Sequence, residues 1–182
     1  MKLPYWRLLL PLLVQVAIPL SLVAPYYAVI TSGRTVYLRA IPVDPYDPLR
    51  GYSQILGYEF GQRRYLESLP GGKNLTAGET VYVVFSAPVQ QERSLPWQPV
   101  RVSATLPQDL APQEVVLKGR IKNGRIDYGI EEIYIPENQR DRMNAQIAEA
   151  SQREQLLVEV KVDAGGRALV RAIWLQGQRH QF

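Results

Sequence analysis

Hydrophobic residues are distributed in two different ways along this chain. Residues 8 to 30 are predominantly apolar and carry no charge, whereas apolar and polar residues alternate in short segments from residue 35 onward. A helix rises about 1.5 Å per residue, so the first segment is long enough to cross the roughly 30 Å hydrocarbon layer of a bilayer. Alternation with a period of two is typical of half-buried β-strands. The pattern therefore predicts one transmembrane helix followed by a β-domain over residues 31 to 182.

The predicted anchor contains prolines, each of which removes a backbone N–H and should kink or shorten the helix. Membrane helices tolerate this when neighbouring helices satisfy the freed carbonyl groups, so the prolines favour an integral membrane protein partner. A cleaved signal peptide is the alternative. It is disfavoured because the apolar run exceeds a usual signal-peptide core and because Ala24 precedes a proline. The residues that define the anchor are Leu8, Pro11, Pro19, Pro25 and Ile30.

Basic residues on the two sides of the anchor predict its orientation. Lys2 and Arg7 precede the apolar run, while Arg34 and Arg39 beyond it are offset by acidic residues. Cytoplasmic flanks are enriched in Lys and Arg. Residues 1 to 7 are therefore predicted to be cytoplasmic, and the β-domain is predicted to lie outside the cytoplasm.

Alternating segments predict a mainly antiparallel domain of about eight strands, either barrel-like or a sandwich. In residues 79–86, Val81, Val83 and Phe85 share one face, and Val84 on the other face indicates a central strand buried on both sides. The residues of segment 98–106 that are expected to face the core are Val100, Val102, Ala104 and Leu106. The remaining predicted strands are 35–41, 51–60, 113–122, 125–128, 155–163 and 167–176.

Turn residues and one helical segment connect these strands. Asn123-Gly124 between two alternating segments is a strong hairpin signal, and Gly165-Gly166 predicts a second hairpin before a polar C-terminal tail. Residues 61–78 predict a helical turn and a loop, and residues 87–97 a polar loop available for contacts. One covering helix is predicted over residues 137–153, since its apolar residues recur at helical spacing. These are Met143, Ile147 and Ala150.

Composition limits the classes of function. Lys and Arg exceed Asp and Glu by 21 to 17, an excess too small for a nucleic-acid-binding surface. Cysteine is absent, which excludes disulfides and thiolate metal sites. The single histidine, His180, removes most designs for a transition-metal site or a histidine-based catalytic triad. The sequence therefore predicts no cofactor and no metal site.

Two short motifs carry a family resemblance. The first block combines a turn-forming run with a leucine and a tyrosine on one strand parity; its residues are Asp47, Pro48, Leu49, Arg50, Gly51, Leu56 and Tyr58. The second block is a YGIE sequence followed by a hydrophobic-Pro-Glu step; its residues are Tyr128, Gly129, Ile130, Glu131, Pro136 and Glu137. In this order the blocks resemble the GDYXXLXY family, over roughly residues 35 to 176. Tyr52 and Ser53 stand where the family motif has Asp and Tyr, and parity predicts that Tyr52 faces the core.

The resemblance implies a small bacterial membrane-anchored protein without an established activity. Some members of the family occur in photosynthetic bacteria, which makes a thylakoid complex a candidate partner by analogy. The expected location is therefore a bacterial inner (plasma) membrane or a thylakoid membrane, with the β-domain periplasmic or lumenal.

Catalytic groups are few. Asp44 and Asp47 precede prolines and are expected to cap local turns. A second acidic group, Glu131, Glu132 and Glu137, is expected to form a salt bridge to Arg50 or Arg125. Membrane signal peptidases also place a β-domain after an anchor, but the serines and lysines required for a serine-lysine hydrolase fall in unsuitable positions. The serines are Ser32 and Ser53, and the lysines are Lys73 and Lys118.

The sequence thus predicts a non-catalytic interaction module, tethered to the bilayer, that acts as an accessory subunit or assembly factor of a membrane complex. The alternative is an envelope enzyme, or a domain that binds a small ligand or metal through the acidic residues near Asp44, Asp47 and Glu131.

Overall fold

The computed structural model describes residues 6–42, 53–73, 75–89, 95–135, 140–153 and 155–181. Helix α1 runs from Trp6 to Ser32 and includes the predicted anchor. By length and composition, its segment Leu9–Ser32 is the one span among the described residues that is able to cross a membrane. Of the two expected effects of the prolines, a kink or a shortening, the shortening does not occur, since the helix continues through Pro11, Pro19 and Pro25. More than one full turn of about 3.6 residues separates successive prolines, so intact hydrogen bonds remain between them.

The rest of the described chain forms strands and two further helices. Helix α2 spans Arg63–Glu67 after a short 3₁₀ turn at Glu59–Gly61, and α3 spans Arg140–Gln152. The strands are β1 (Arg34–Arg39), β2 (Ile41–Pro42), β3 (Ser53–Gly57), β4 (Thr80–Ser86), β5 (Gln98–Ser103), β6 (Glu114–Lys122), β7 (Arg125–Asp127), β8 (Glu132–Tyr134), β9 (Leu156–Val162), β10 (Ala168–Leu175) and β11 (Gln178–Gln181).

These strands pair in three antiparallel sheets, in the orders β1-β9-β10-β11, β2-β3-β8 and β5-β4-β6-β7. The predicted architecture of one apolar N-terminal helix and a mainly antiparallel β-domain is therefore confirmed. Three of the eleven described strands, β2, β8 and β11, are at most four residues long and were not among the predicted eight, which accounts for the higher number.

One hydrophobic core joins the sheets. Val36 and Leu38 of β1 and Val83 and Phe85 of β4 are fully buried and belong to the same cluster of apolar side chains. Helix α3 contributes to this cluster through the three apolar residues predicted from its spacing, which are Met143, Ile147 and Ala150. Val84 is buried as well, which confirms that β4 is covered on both faces.

The hairpin at Asn123-Gly124 is confirmed. Both residues adopt positive φ, 49° and 75°, which suits a two-residue turn between twisted strands. The alternation of β6 is also observed: its inward-facing residues Val115, Leu117, Gly119 and Ile121 are buried, and its outward-facing residues Lys118, Arg120 and Lys122 are exposed. Val116 is also buried, so β6 is covered on more than one face near its start.

The prediction for residues 98–106 is only partly correct. Val102 is buried, but β5 ends at Ser103 and Ala104 is exposed. Val84 pairs with Arg101 and Phe85 with Pro99, so the chain bulges at Val100. A bulge changes which side chains face the core, and the simple alternation from Val100 onward is therefore lost.

Two strand ends also differ from expectation. Strand β3 ends at Gly57, because the next residues turn into the 3₁₀ helix rather than continuing to Phe60. At the C-terminus, the segment predicted as a polar tail forms β11 on the edge of the first sheet. Gln176 and Gly177 both have positive φ, 50° and 82°, and form a tight turn that returns the chain to β10.

Candidate functional site: the motif junction and the helix-side cleft

The described parts of the two family motifs are in direct contact. The backbone N–H of Leu56 donates to the carbonyl oxygen of Glu131 at 2.7 Å. The Tyr58 hydroxyl donates to the carbonyl oxygen of Ile130 at 2.9 Å. Leu56, Tyr58 and Ile130 are all buried. The motif junction, defined as Leu56, Tyr58 and residues 127–131, is therefore part of the folded core.

Three aromatic rings pack together at the motif junction. The rings of Tyr58 and Phe60 stack with centroids 4.9 Å apart, and the Tyr128 ring meets Phe60 edge-on at 5.4 Å. The Tyr128 hydroxyl donates to the carbonyl oxygen of Phe60 at 2.9 Å. Burial raises the pKa of both tyrosines well above the usual 10.0, and the nearby charge of Glu131 acts in the same direction. Both phenols are therefore neutral hydrogen-bond donors at physiological pH.

The YGIE sequence forms a tight turn. Gly129 has a φ of 75°, a conformation that side chains beyond glycine rarely adopt, and its N–H donates to Asp127 at 3.1 Å. The Glu131 carboxylate accepts the backbone N–H groups of Tyr128 and Ile130 at 2.7 and 2.9 Å. Burial raises the pKa of Glu131 from its ordinary 4.5, and the two backbone donors oppose that shift. Glu131 thus acts as a cap for its own turn.

This arrangement changes the interpretation of the acidic candidates. Within the described residues Glu131 forms no ion pair with Arg125, so this alternative of the expected salt bridge is wrong for Glu131. The other alternative, Arg50, lies outside the described residues. The two backbone N–H groups stabilise the Glu131 carboxylate, a role that the side chain of an arginine was expected to fill. No group of three or more His, Asp or Glu side chains in the described ranges could hold a metal ion. Several predicted positions lie outside those ranges: Asp44, Asp47, Pro48, Leu49, Arg50, Gly51, Tyr52, Pro136 and Glu137.

The residues considered for a serine-lysine hydrolase are not joined where they can be described. The Ser32 hydroxyl donates to the carbonyl oxygen of Ala28 at 2.7 Å. Lys73 lies in the loop after α2, and the exposed Lys118 lies on β6. Ser53 is the first residue of β3, and its side chain lies outside the described part of the chain.

A second feature of the site is the junction between α1 and the β-domain. Val29, on the last turns of a largely exposed helix, is only 1% exposed. A side chain at Gly33 would collide with the carbonyl oxygen of Val29 and lie 3.1 Å from that of Val162. The Lys161 amine donates to the Gly33 carbonyl oxygen at 2.8 Å, which places a cation at the C-terminal end of the helix. The helix is therefore seated directly on β9, without a flexible linker.

An open cleft of about 690 Å³ lies beside this junction. One wall is the end of α1, at Pro25, Tyr26 and Val29. The opposite wall comes from β4, β6, β7 and β10 and from the second motif; its residues include Thr80, Lys118, Arg120, Asp127, Tyr128, Gly129, Arg167 and Leu169. We refer to it as the helix-side cleft. Sequence reasoning missed it, because it combines residues far apart in the chain.

Sequence reasoning also missed a buried carboxylate on the first sheet. Glu159 of β9 is 8% exposed and is the one buried charged residue in the described part of the chain. Arg179 of β11 binds it through two nitrogens at 2.8 Å, and the Trp174 indole N–H donates to it at 3.0 Å. The Arg179 guanidinium lowers the pKa of Glu159 below its ordinary 4.5. Glu159 lies on the face of β9 opposite the core valines, and nothing in the sequence indicated its partner.

Comparison with known proteins bears on the family. No curated protein and no solved structure matches this chain significantly. The sequence profile of the GDYXXLXY protein family matches residues 15–173, which includes most of α1 and nearly all of the β-domain. The match contains both motif blocks that meet in the folded core. The chain therefore belongs to the GDYXXLXY family.

Proposed function

We propose that this protein is a membrane-anchored, non-catalytic interaction module that serves as an accessory subunit or assembly factor of a larger membrane protein complex. The observation that carries the proposal is the direct seating of an apolar helix on the β-domain through Val29, Gly33 and Lys161. A domain attached in this way is held next to the bilayer in one orientation. It is suited to contact a neighbour that is also membrane-embedded.

The helix itself has features that favour a partner within the bilayer. Gln15 is an exposed polar side chain in the middle of the apolar span, and no described residue bonds to its amide. Pro19, four residues later, has no N–H to donate to the Gln15 carbonyl oxygen. Gln15 therefore presents a side-chain amide, and a carbonyl without its usual i+4 donor, to a medium without water. Such groups are satisfied by hydrogen bonds to another membrane helix.

Ligand chemistry at Glu131 has less support. Its carboxylate already accepts two backbone N–H groups in a turn that the fold requires. The neighbouring tyrosines donate to backbone carbonyls and are buried beneath the turn. Their hydrogen bonds serve the folding of the domain, which fits an interaction module better than an enzyme.

We further propose that residues 1 to 7 face the cytoplasm and that the β-domain lies in the periplasm or thylakoid lumen. Lys2 and Arg7 support this orientation, because positive residues are retained on the cytoplasmic side. Fractionation of cells that contain both membranes distinguishes the plasma membrane from the thylakoid membrane.

Photo-crosslinking in native membranes tests the proposal. A photoreactive amino acid replaces Ile18, which lies one turn from Gln15 on the same side of the helix. The matched control replaces Leu13, which lies about 200° from Gln15 around the helix. Both side chains are exposed, at 57% and 66%. We expect a protein adduct from position 18 and far less from position 13. Adducts with lipid alone from both positions would overturn the proposed partner helix.

A further inference from the structure

The helix-side cleft combines two kinds of surface. Its helix wall is apolar, at Pro25, Tyr26 and Val29, whereas its domain wall carries Lys118 and Arg120. Arg167 adds a third cation to the lining. A site with one apolar wall and one cationic wall fits an amphiphile with a negatively charged end.

The charges of the cleft are only partly compensated. Asp127, the acidic residue in the lining, is paired with Lys122 on the neighbouring strand. Arg167 pairs with Asp163 at 2.8 Å. Arg120 donates to the Gly78 carbonyl oxygen, and the Lys118 amine has no partner among the described residues. The exposed Lys118 and Arg120 side chains thus leave positive charge available to an anion.

The position of the cleft along the helix matches the membrane surface. Trp6 and Tyr27 are aromatic residues near the two ends of α1, and at about 1.5 Å per residue they lie about 30 Å apart, the thickness of the hydrocarbon layer. Aromatic residues favour the two interfaces of a bilayer. With the helix inserted in this way, Tyr26 and Val29 lie at the level of the lipid headgroups. The cleft then opens where phospholipid phosphates are concentrated.

We propose that the helix-side cleft binds one anionic phospholipid, with its headgroup toward Lys118 and Arg120 and its acyl chains along α1 at Pro25 and Tyr26. Ammonium and guanidinium groups form charge-assisted hydrogen bonds with phosphate oxygens. The lipid fills the space between helix and domain, and it ties the orientation of the domain to the composition of the membrane. A neutral zwitterionic lipid lacks the net charge that the cationic wall selects.

Native mass spectrometry of the full chain tests the proposal. The delipidated protein in detergent is titrated with phosphatidylglycerol or phosphatidylcholine, and bound lipids are counted. The variant is Lys118→Gln/Arg120→Gln. The matched control, Arg64→Gln/Lys73→Gln, removes the same charge at exposed positions outside the cleft. We expect preferential binding of one phosphatidylglycerol, a loss of about tenfold in affinity in the cleft variant, and little change in the control.

A single variant and a competition experiment complete the test. Lys118→Gln alone removes an exposed amine while its backbone bond to Gly166 remains, so it tests the site if the double variant fails to fold. Excess orthophosphate distinguishes a lipid site from a site for soluble phosphate. Equal binding of both lipids, equal losses in variant and control, or full displacement by orthophosphate would each overturn the proposal. The assay uses isolated protein, so its outcome is independent of whether a protein partner exists.

Discussion

The hydroxyl of Tyr58 donates a hydrogen bond to the main-chain carbonyl of Ile130, 72 positions later in the chain, at 2.9 Å. Tyr58 belongs to the first motif block and Ile130 to the second, and both are buried. The bond joins the residue that follows β3 to the YGIE turn. It gives a structural reason for a tyrosine at the end of the first motif.

Removing this bond should weaken the domain. Tyr58→Phe keeps the ring that stacks on Phe60 but leaves the Ile130 carbonyl without its partner. We expect a loss of about 1–3 kcal/mol in the free energy of unfolding, because a buried acceptor is left unsatisfied. Urea unfolding of the full chain in detergent measures it. Tyr82→Phe is the control, since Tyr82 is half-buried without a hydroxyl partner among the described residues, and it should stay within about 0.5 kcal/mol.

Gly33 should be sensitive to the smallest side chain. In Gly33→Ala the new methyl group meets the carbonyl oxygens of Val29 and Val162, so helix and β9 must move apart. Overpacking of this kind costs about 1–3 kcal/mol. Gly165→Ala is the control, because its nearest neighbour, Asp163, lies at an ordinary contact distance of 3.4 Å. Thermal melts measure both variants. Equal stability of the two would contradict the close packing of α1 against β9 at Gly33.

Two glutamates should respond to pH in opposite directions. Arg179 lowers the folded-state pKa of Glu159, so its contribution is complete above the ordinary pKa of 4.5 and is lost as pH falls through the folded value. Burial raises the folded-state pKa of Glu131, so the protonated form favours the folded state. The wild-type chain therefore loses stability from Glu131 as pH rises through the window above 4.5.

The two glutamine variants separate these effects. Glu159→Gln should destabilise the chain by about 1–2 kcal/mol near neutral pH, and the difference should shrink on acidification. For Glu131→Gln, the stability of the wild type relative to the variant should instead increase on acidification. Urea unfolding at a series of pH values measures both differences. Parallel pH profiles for the two variants would contradict the assigned environments.

Orientation is open to a direct chemical test, because the natural chain contains no cysteine. Ala164→Cys introduces a thiol in the exposed turn between β9 and β10, and Lys2→Cys introduces one before the helix. A membrane-impermeant maleimide should label position 164 in intact spheroplasts and position 2 only after permeabilisation. The reverse pattern would place the β-domain in the cytoplasm.

Much of the fold follows from local sequence. The charge-free apolar run predicts α1, and Asn123-Gly124 predicts the β6–β7 hairpin, because each signal lies within one segment. The bulge at Val100 depends on pairing with Val84 and Phe85, and β11 is held by a salt bridge between residues 159 and 179. Neither interaction can be deduced from alternation alone.

The candidate site was predictable only in part. The motif blocks indicated Tyr58 and Glu131 as structural residues; in the structure the Tyr58 hydroxyl bonds to the Ile130 carbonyl oxygen, and Glu131 caps its own turn. The helix-side cleft requires Tyr26 of α1 and Lys118 of β6 to lie on facing walls. These two residues are far apart in the sequence, so no periodicity or spacing predicts that they line the same cleft.

Native electrophoresis of membranes solubilised in mild detergent tests the central claim most directly. We expect the wild-type chain to migrate in a complex far above its own 20.7 kDa plus detergent. Gln15→Leu should release part of it, since hydrogen bonds between membrane helices contribute about 0.6–1.7 kcal/mol. Ser21→Ala should not, because the Ser21 hydroxyl already bonds to the Ile18 carbonyl. A wild-type chain that migrates alone, near its own mass, would contradict the account.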